Sequence, residues 1–275
     1  MGDRKTIAHV MGILNVTPDS FSDGGSYYDE TGRPDMDRVL KRVEEMIDEG
    51  ADIIDVGGES TRPGATKVSA KDEISLVVPV IREIKSRFNI QVSIDTYKSD
   101  TAIEAVHAGA DIVNDIGMMN LDPKMTSVVA GLNVRYILTH NSGKVVELND
   151  NDSYINFFLS ETKDAVGRAI KAGIDRSNII IDPGIGFNKT YEQNLFIMDS
   201  LNRFCDLGYP VLLGTSRKSF IGIATECDVN ERLAGTIATT VIGAMAGVSY
   251  FRVHDIEDNV RALMLTESVL GRCKE

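Results

Sequence analysis

Cysteine is scarce: three in 275 residues, Cys205, Cys227 and Cys273, with no Cys-x-x-Cys pair. An odd and dispersed set excludes a disulfide framework and a cysteine zinc cluster, and it fits a reducing cytosol. Long apolar runs are lacking as well. The run Ile7 to Val16 is broken by His9 and Asn15 and leads straight into Thr17-Pro18-Asp19. A bilayer span takes about 20 apolar residues, and no small-residue cleavage pattern follows the run. The expectation is a cytoplasmic protein with no membrane segment. Basic residues are outnumbered, 29 Lys and Arg against 41 Asp and Glu, for a net charge of −12. That balance excludes broad charge-driven binding to nucleic acid or anionic membrane. A small anion held by a few placed cations stays within reach. No Gly-, Ser- or Pro-rich linker divides the chain, so residues 1–275 are expected to form one domain. With 43% hydrophobic and 25% charged residues, the composition is that of a globular protein, which excludes a disordered or collagen-like chain.

What is present is a repeating pattern. Eight strand-like runs occur: His9–Val16, Asp52–Val56, Gln91–Asp95, Ile112–Ile116, Val134–Thr139, Ile179–Asp182, Pro210–Gly214 and Tyr250–His254. Most are nearly continuous Ile, Val and Leu, as in parallel strands covered on both faces. Helical patterns lie between them. Met36, Val39, Leu40, Val43, Met46 and Ile47 paint one helix face, and Gly50 is suited to a left-handed stop. Gly109, Gly131, Gly173, Gly208 and Gly247 stand in comparable positions before later runs. Eight such units in about 250 residues have the size of a single (β/α)8 barrel, a TIM barrel of the α/β class. Periodicity does not demonstrate closure, so a doubly wound open sheet is the alternative.

Nearly every run ends in a polar residue: Asn15, Asp55, Asp95, Asn114 with Asp115, His140, Asp182, Ser216 with Arg217 and Lys218, and Arg252 with His254. In a barrel these ends share one rim, where βα loops carry function. Asp95 and Asp182 follow apolar runs and require donors, from the backbone, from an arginine or from a ligand with paired N–H groups. With Asn114, which both donates and accepts, they suit a nitrogen-rich ring better than a sugar or a fatty acid. Lys218 lies in a loop opening a short helix, where N–H groups favour anions. Arg252 and His254 alternate on one strand and point the same way. Arg62, on a mobile loop Glu59–Gly64, can reach the same rim, completing a candidate pyrophosphate site. The polar loop Asn15–Gly25 has the glycines of a movable lid, and Asn15 and Asp23 offer oxygen ligands for Mg²⁺.

These residues resemble the dihydropteroate synthase family over nearly the whole chain. The match rests on Met11-Gly12-Ile13-Leu14-Asn15-Val16-Thr17-Pro18-Asp19-Ser20-Phe21, Asp55-Val56-Gly57-Gly58-Glu59-Ser60-Thr61-Arg62-Pro63-Gly64, Ser93-Ile94-Asp95-Thr96 and Asn114-Asp115. It continues through Ile181-Asp182-Pro183-Gly184-Ile185-Gly186-Phe187, Ser216-Arg217-Lys218-Ser219 and Arg252-Val253-His254-Asp255. The resemblance implies transfer of the dihydropterin-methyl group from 6-hydroxymethyl-7,8-dihydropterin pyrophosphate to p-aminobenzoate. It places the pterin on Asp95, Asn114, Asp182 and Lys218, and the pyrophosphate on Asn15, Arg252 and His254. Thr61, Arg62 and Asp23 would arrive on mobile loops after the first two strands. Phe21, Pro63, Phe187 and Ser219 would line the p-aminobenzoate pocket. The resemblance further implies Mg²⁺ with Asn15 as a ligand, a homodimer through the apolar Leu233–Val248 helix, and competition by sulfonamides. One segment departs from it. Many members carry Met-His-Met after the fifth strand, where this chain has Thr139-His140-Asn141.

Three other readings are distinguishable. A methyltetrahydrofolate:corrinoid methyltransferase would share the pterin carboxylates but needs no pyrophosphate site. A non-catalytic pterin-binding paralogue has no need of Asn15, Lys218, Arg252 and His254 together. A Schiff-base aldolase needs a buried amine, and Lys218 beside Arg217 on a polar loop reads instead as an anion ligand.

Overall fold

The computed structural model describes residues 7–17, 34–60, 66–143, 145–148 and 150–272, and strands and helices alternate along them. The strands are β1 (His9–Asn15), β2 (Ile53–Gly57), β3 (Gln91–Asp95), β4 (Ile112–Asp115), β5 (Arg135–Thr139), β6 (Ile179–Asp182), β7 (Leu212–Leu213) and β8 (Tyr250–Val253). The helices are α1 (Met36–Asp48), α2 (Ala70–Arg87), α3 (Ser99–His107), α4 (Met125–Leu132), α5 (Asn151–Lys171), α6 (Tyr191–Asp199), α7 (Leu201–Cys205), α8 (Ser219–Thr225), α9 (Leu233–Ala246) and α10 (Ile256–Val269). The strands lie in the order β6-β5-β4-β3-β2-β1-β8-β7, all pairings parallel. A parallel bridge, Ile181 to Val211, joins the two ends of that row. The sheet is a (β/α)8 barrel, and the open doubly wound alternative is excluded.

Two apolar cores follow from the period-two alternation of strand side chains. Outward residues such as Val10, Ile54, Ile94, Tyr136 and Phe251 join the buried helix faces in one cluster. Inward residues Met11, Ile53, Ile112, Ile137, Ile180, Leu212 and Tyr250 form a second cluster inside the barrel. Each fully buried side chain of this kind contributes about 1.5–3 kcal/mol, so both faces of every strand but β3, whose inward face carries Ser93 and Asp95, contribute to apolar packing. The N-terminal mouth is closed by polar contacts. Arg135 donates to Gln91 Oε1 at 2.6 Å and to the Tyr250 hydroxyl at 3.4 Å, and His9 stacks on the Tyr250 ring.

The helix stops are mostly where the glycines stand. Gly50, Gly109, Gly173, Gly208 and Gly247 all have φ between +74° and +113°. Gly131 does not; it lies inside α4, and Asn133 supplies the left-handed cap instead, at φ +52°, asparagine being the side chain most tolerant of that region. β7 is shorter than its apolar run because Pro210 has no N–H for the ladder. Among the described residues no helix is long and apolar enough to cross a membrane. Residues 18–33 and 61–65 of the loops expected to be mobile, with Phe21, Asp23, Thr61, Arg62 and Pro63, fall outside the described residues, as does Cys273.

Candidate active site

The alternation that fills the barrel with Ile and Met also decides what sits above them. Two residues beyond Ile53 on β2 is Asp55; beyond Ile112 is Asn114, beyond Ile137 Thr139, beyond Ile180 Asp182, and beyond Tyr250 Arg252. On β3 the same face carries Ser93 and Asp95, and on β1 it ends at Asn15, in register with Gly57 and Asp95. A polar layer therefore lies on the apolar one, at the C-terminal mouth.

Arg252 is central to that layer. Its Nε donates to Asp55 Oδ2 at 2.6 Å and its Nη2 to Asp95 Oδ2 at 2.7 Å. Asn114 Nδ2 donates to the same Asp55 oxygen at 3.2 Å. Burial pushes the Asp95 carboxyl up to about 7; Arg252 opposes that shift, while Asp55 and Glu73 reinforce it. Burial would favour a neutral Arg252, but Asp55 and Asp95 overrule it and the guanidinium is held charged. Asp55 Oδ1, Asp95 Oδ1, Asn114 Oδ1 and Thr139 Oγ1 are buried with no hydrogen-bond partner among the described residues. An unmet buried polar group costs about 1–3 kcal/mol. Such a set is matched by a ligand edge that carries N–H donors.

Asp182 faces this layer from β6. Its Oδ1 accepts the Gly184 N–H at 2.7 Å; burial raises its pKa, opposed first by Lys218 and then by that N–H. Lys218, the residue before α8, turns inward, donates to the Ile185 carbonyl and lies 5.0 Å over the Phe187 ring. Burial brings its ammonium down to about 8, against the pull of Asp182. The reading of Lys218 as an anion ligand on a polar loop rather than a buried amine is corrected here: the side chain leaves its loop and enters the mouth, where its ammonium is buried. Ser219 follows it as the first, exposed residue of α8. Beyond them, Ser216 Oγ accepts the His254 N–H at 3.2 Å and meets His254 Nδ1 at 2.9 Å.

The polar ring seen in the sequence thus divides. Asp95, Asn114, Asp182, Lys218, Arg252 and, at the rim, Asn15, Phe187, Ser219 and His254 gather at one mouth. Three members face elsewhere. Asp115 points outward, accepting Tyr136 Oη at 2.5 Å and the Gly117 and Met119 N–H groups at 2.7 and 2.8 Å. His140 stacks on Phe158 and meets Glu161 at 3.0 Å. Arg217 forms a two-point pair with Asp255, at 2.5 and 3.1 Å. Asp55 was visible as a strand end, but its role as partner of Arg252 was not. Glu73 was missed altogether. It sits 1% exposed on α2, accepts Thr96 Oγ1 at 2.8 Å and pairs with Lys98 at 3.1 Å, and an acidic residue on the apolar side of that helix was its only signal. Among the described residues no group of three His, Cys, Asp or Glu is placed to hold a metal.

A family model described as pterin binding enzyme matches residues 11–254. Two relatives named dihydropteroate synthase, from Clostridium beijerinckii and Bacillus subtilis, are 52% and 49% identical to this chain, each covering 96% of it and 95% and 89% of their own lengths. A solved Clostridium difficile dihydropteroate synthase, crystallised in the presence of pteroic acid, superposes with a TM-score of 0.88 at 42% identity over 98% of this chain and 99% of that one. The chain belongs to the pterin-binding enzymes and, among them, to the dihydropteroate synthases.

Proposed function

We propose that the polar layer grips a dihydropterin while the rim beyond it draws away a diphosphate, so that C–O cleavage runs ahead of attack by p-aminobenzoate. The observation that carries this reading is the group of buried acceptors on Asp55, Asp95 and Asn114 that have no donor beside Asp182 and Lys218. A pterin's pyrimidine edge supplies N–H donors to them, and a product-like ligand, pteroic acid, was present with the Clostridium difficile relative. The exocyclic CH₂ is conjugated with the ring, so the departing diphosphate leaves a delocalised cation. The residues' work is then electrostatic: Arg252, with its charge shared between Asp55 and Asp95, and His254 are assigned to the departing diphosphate. The aniline nitrogen needs no strong base, and no covalent enzyme intermediate forms. Phe187 and Ser219, with Phe21, Thr61, Arg62, Pro63 and Asp23 from the two loops, are assigned to p-aminobenzoate and to closure over the site.

Mg²⁺ fits as a substrate-borne ion rather than a resident one. An ion that keeps several waters and binds diphosphate oxygens needs few protein ligands, and Asn15 Oδ1 is an amide oxygen at the mouth, close beside Gly57. When bound, Mg²⁺ would neutralise charge on the leaving diphosphate. The whole chain, 1–275, is read as one cytoplasmic barrel domain working as a homodimer. Ile242 and Met245 on α9 and Leu265 and Val269 on α10 support the dimer, being large apolar side chains exposed on two helices packed together.

The test is pyrophosphate release from the dihydropterin pyrophosphate with Mg²⁺, in the presence and absence of p-aminobenzoate, beside Asp182→Ala and Lys218→Ala. Release should require the aniline and fall sharply in both variants. Scrambling of bridging and non-bridging oxygen in the bound substrate supports early cleavage; none, under conditions that permit it, counts against that order. Sulfonamides should inhibit competitively with p-aminobenzoate.

A further inference from the structure

The segment between β6 and α6, residues 183–190, carries more than its share of contacts with the site. Asp182 opens it, the Ile185 carbonyl receives Lys218, and Phe187 lies beneath that ammonium. Its backbone enters the left-handed region at Gly184, Gly186 and Asn188, with φ of +62°, +86° and +47°. Such a path persists only where the surroundings over-determine it. Asn141 holds Asn188 at 2.8 Å and Asn194 holds the Gly186 N–H at 2.7 Å, and Lys189 makes more of these ties than either. Its ammonium donates to three main-chain carbonyls, of His140 at 3.1 Å, Gly184 at 2.8 Å and Phe187 at 3.0 Å. It also lies 5.1 Å over the Phe158 ring. Three acceptors match the three donors of an ammonium. His140 follows the end of β5, whereas the other two carbonyls bracket Ile185 and Gly186.

We propose that Lys189 is a positioning residue for the pterin: by tying the loop 183–188 to the end of β5, it fixes Asp182, Phe187 and the carbonyl that holds Lys218. This rests on the pterin reading above. Charge acts alongside the bonds. Asp182 is faced by Lys218 from the start of α8, by Arg252 from β8 and by Lys189 from its own loop, and all three favour its carboxylate. Burial brings the Lys189 ammonium down to about 7, opposed by Asp182 and by Glu161 of α5 and reinforced by Lys218, so it is charged over the acid limb, and His140 stacks on the same Phe158 ring. Removing the ammonium therefore loosens the loop and lifts the Asp182 pKa further.

Steady-state kinetics of Lys189→Met and Lys189→Arg test this. Lys189→Met should raise KM for the pterin pyrophosphate about tenfold while changing KM for p-aminobenzoate less than about twofold. It should also move the acid limb of kcat/KM for the pterin upward by about half a pH unit or more. Lys189→Arg, which keeps the charge, should leave that limb near its original pH. A methionine variant with unaltered pterin KM and acid limb overturns the proposal, as does one that loses only kcat. If Lys189→Met does not fold, the unsubstituted enzyme decides. With ¹³Cε-labelled lysine, the Lys189 signal (assigned by its loss in Lys189→Arg) should shift on binding 6-hydroxymethylpterin, and a signal that stays still overturns the proposal. Turnover by the unsubstituted enzyme beside an indifferent variant sinks this inference alone. No turnover by the unsubstituted enzyme sinks the pterin reading on which it rests.

Discussion

Arg252 Nη2 lies 2.7 Å from Asp95 Oδ2, although 157 positions separate the two residues in the chain. The same guanidinium holds Asp55, which is fully buried on the neighbouring side. One fork thus bridges two carboxylates on the adjacent strands β2 and β3 that would otherwise repel each other.

Replacing Arg252 should therefore cost both stability and activity. Arg252→Met leaves two carboxylates buried without their cation, a loss of about 3–5 kcal/mol, read by urea unfolding. Arg252→Lys keeps a charge but not the planar fork that reaches both acids, so its loss should be smaller. Turnover in either variant should fall by about a hundredfold or more. A methionine variant as stable as the parent would show that the pair contributes nothing to the fold.

Asp95 makes a pH prediction of definite sign. Its carboxyl titrates at about 7 in the fold, pushed up by burial, and near 3.9 in the unfolded chain. Between those values the folded form binds the extra proton, so this residue makes stability fall as pH rises from about 4 to 7. Asp95→Asn should flatten that slope, gaining on the parent as pH increases. Urea unfolding at several pH values in that window checks it; parallel curves for the two proteins would contradict the assignment.

Much of this was legible because a barrel is periodic. Asp95 and Asp182 could be placed on the rim from the apolar runs before them, and Asn114 from the repeat around Gly109. What the strand-end pattern did not resolve was the face. Asp115 and His140 end strands as Asp95 does, yet they stand one residue out of phase with Ile112 and Ile137 and so point to the helices. Counting by twos from those isoleucines separates them. Lys189 had no such marker, since its partners are main-chain carbonyls and leave no trace in residue type. The Arg252 pairing was hidden for a related reason: contacts across a barrel depend on closure, which local patterns do not contain.

Gly184 has no permissible substitute. It sits at φ +62°, and a Cβ there would come 2.1 Å from the His140 carbonyl oxygen, a main-chain atom unable to swing aside. That oxygen also accepts from Lys189. Gly184→Ala should destabilise by more than about 1 kcal/mol from backbone strain alone, and it should weaken pterin binding more than p-aminobenzoate binding. Thermal melts with calorimetric titration of each ligand would read both effects. Equal weakening of the two would separate this glycine from the Asp182 side of the site.

Lys218 sets stability and activity against each other at alkaline pH. Burial holds its ammonium near 8, while an unfolded lysine titrates near 10.4. Between those values the unfolded chain binds the extra proton, so this residue makes stability rise with pH. Over the same interval the folded protein loses the charge that faces Asp182, and pterin binding should decline as pH passes about 8. Heating and turnover measured side by side from pH 7 to 10 should therefore diverge, and Lys218→Met should remove this residue's share of the alkaline gain in stability while already showing the poor pterin binding. If activity of the parent holds level through pH 9.5, the ammonium is not what the substrate needs there.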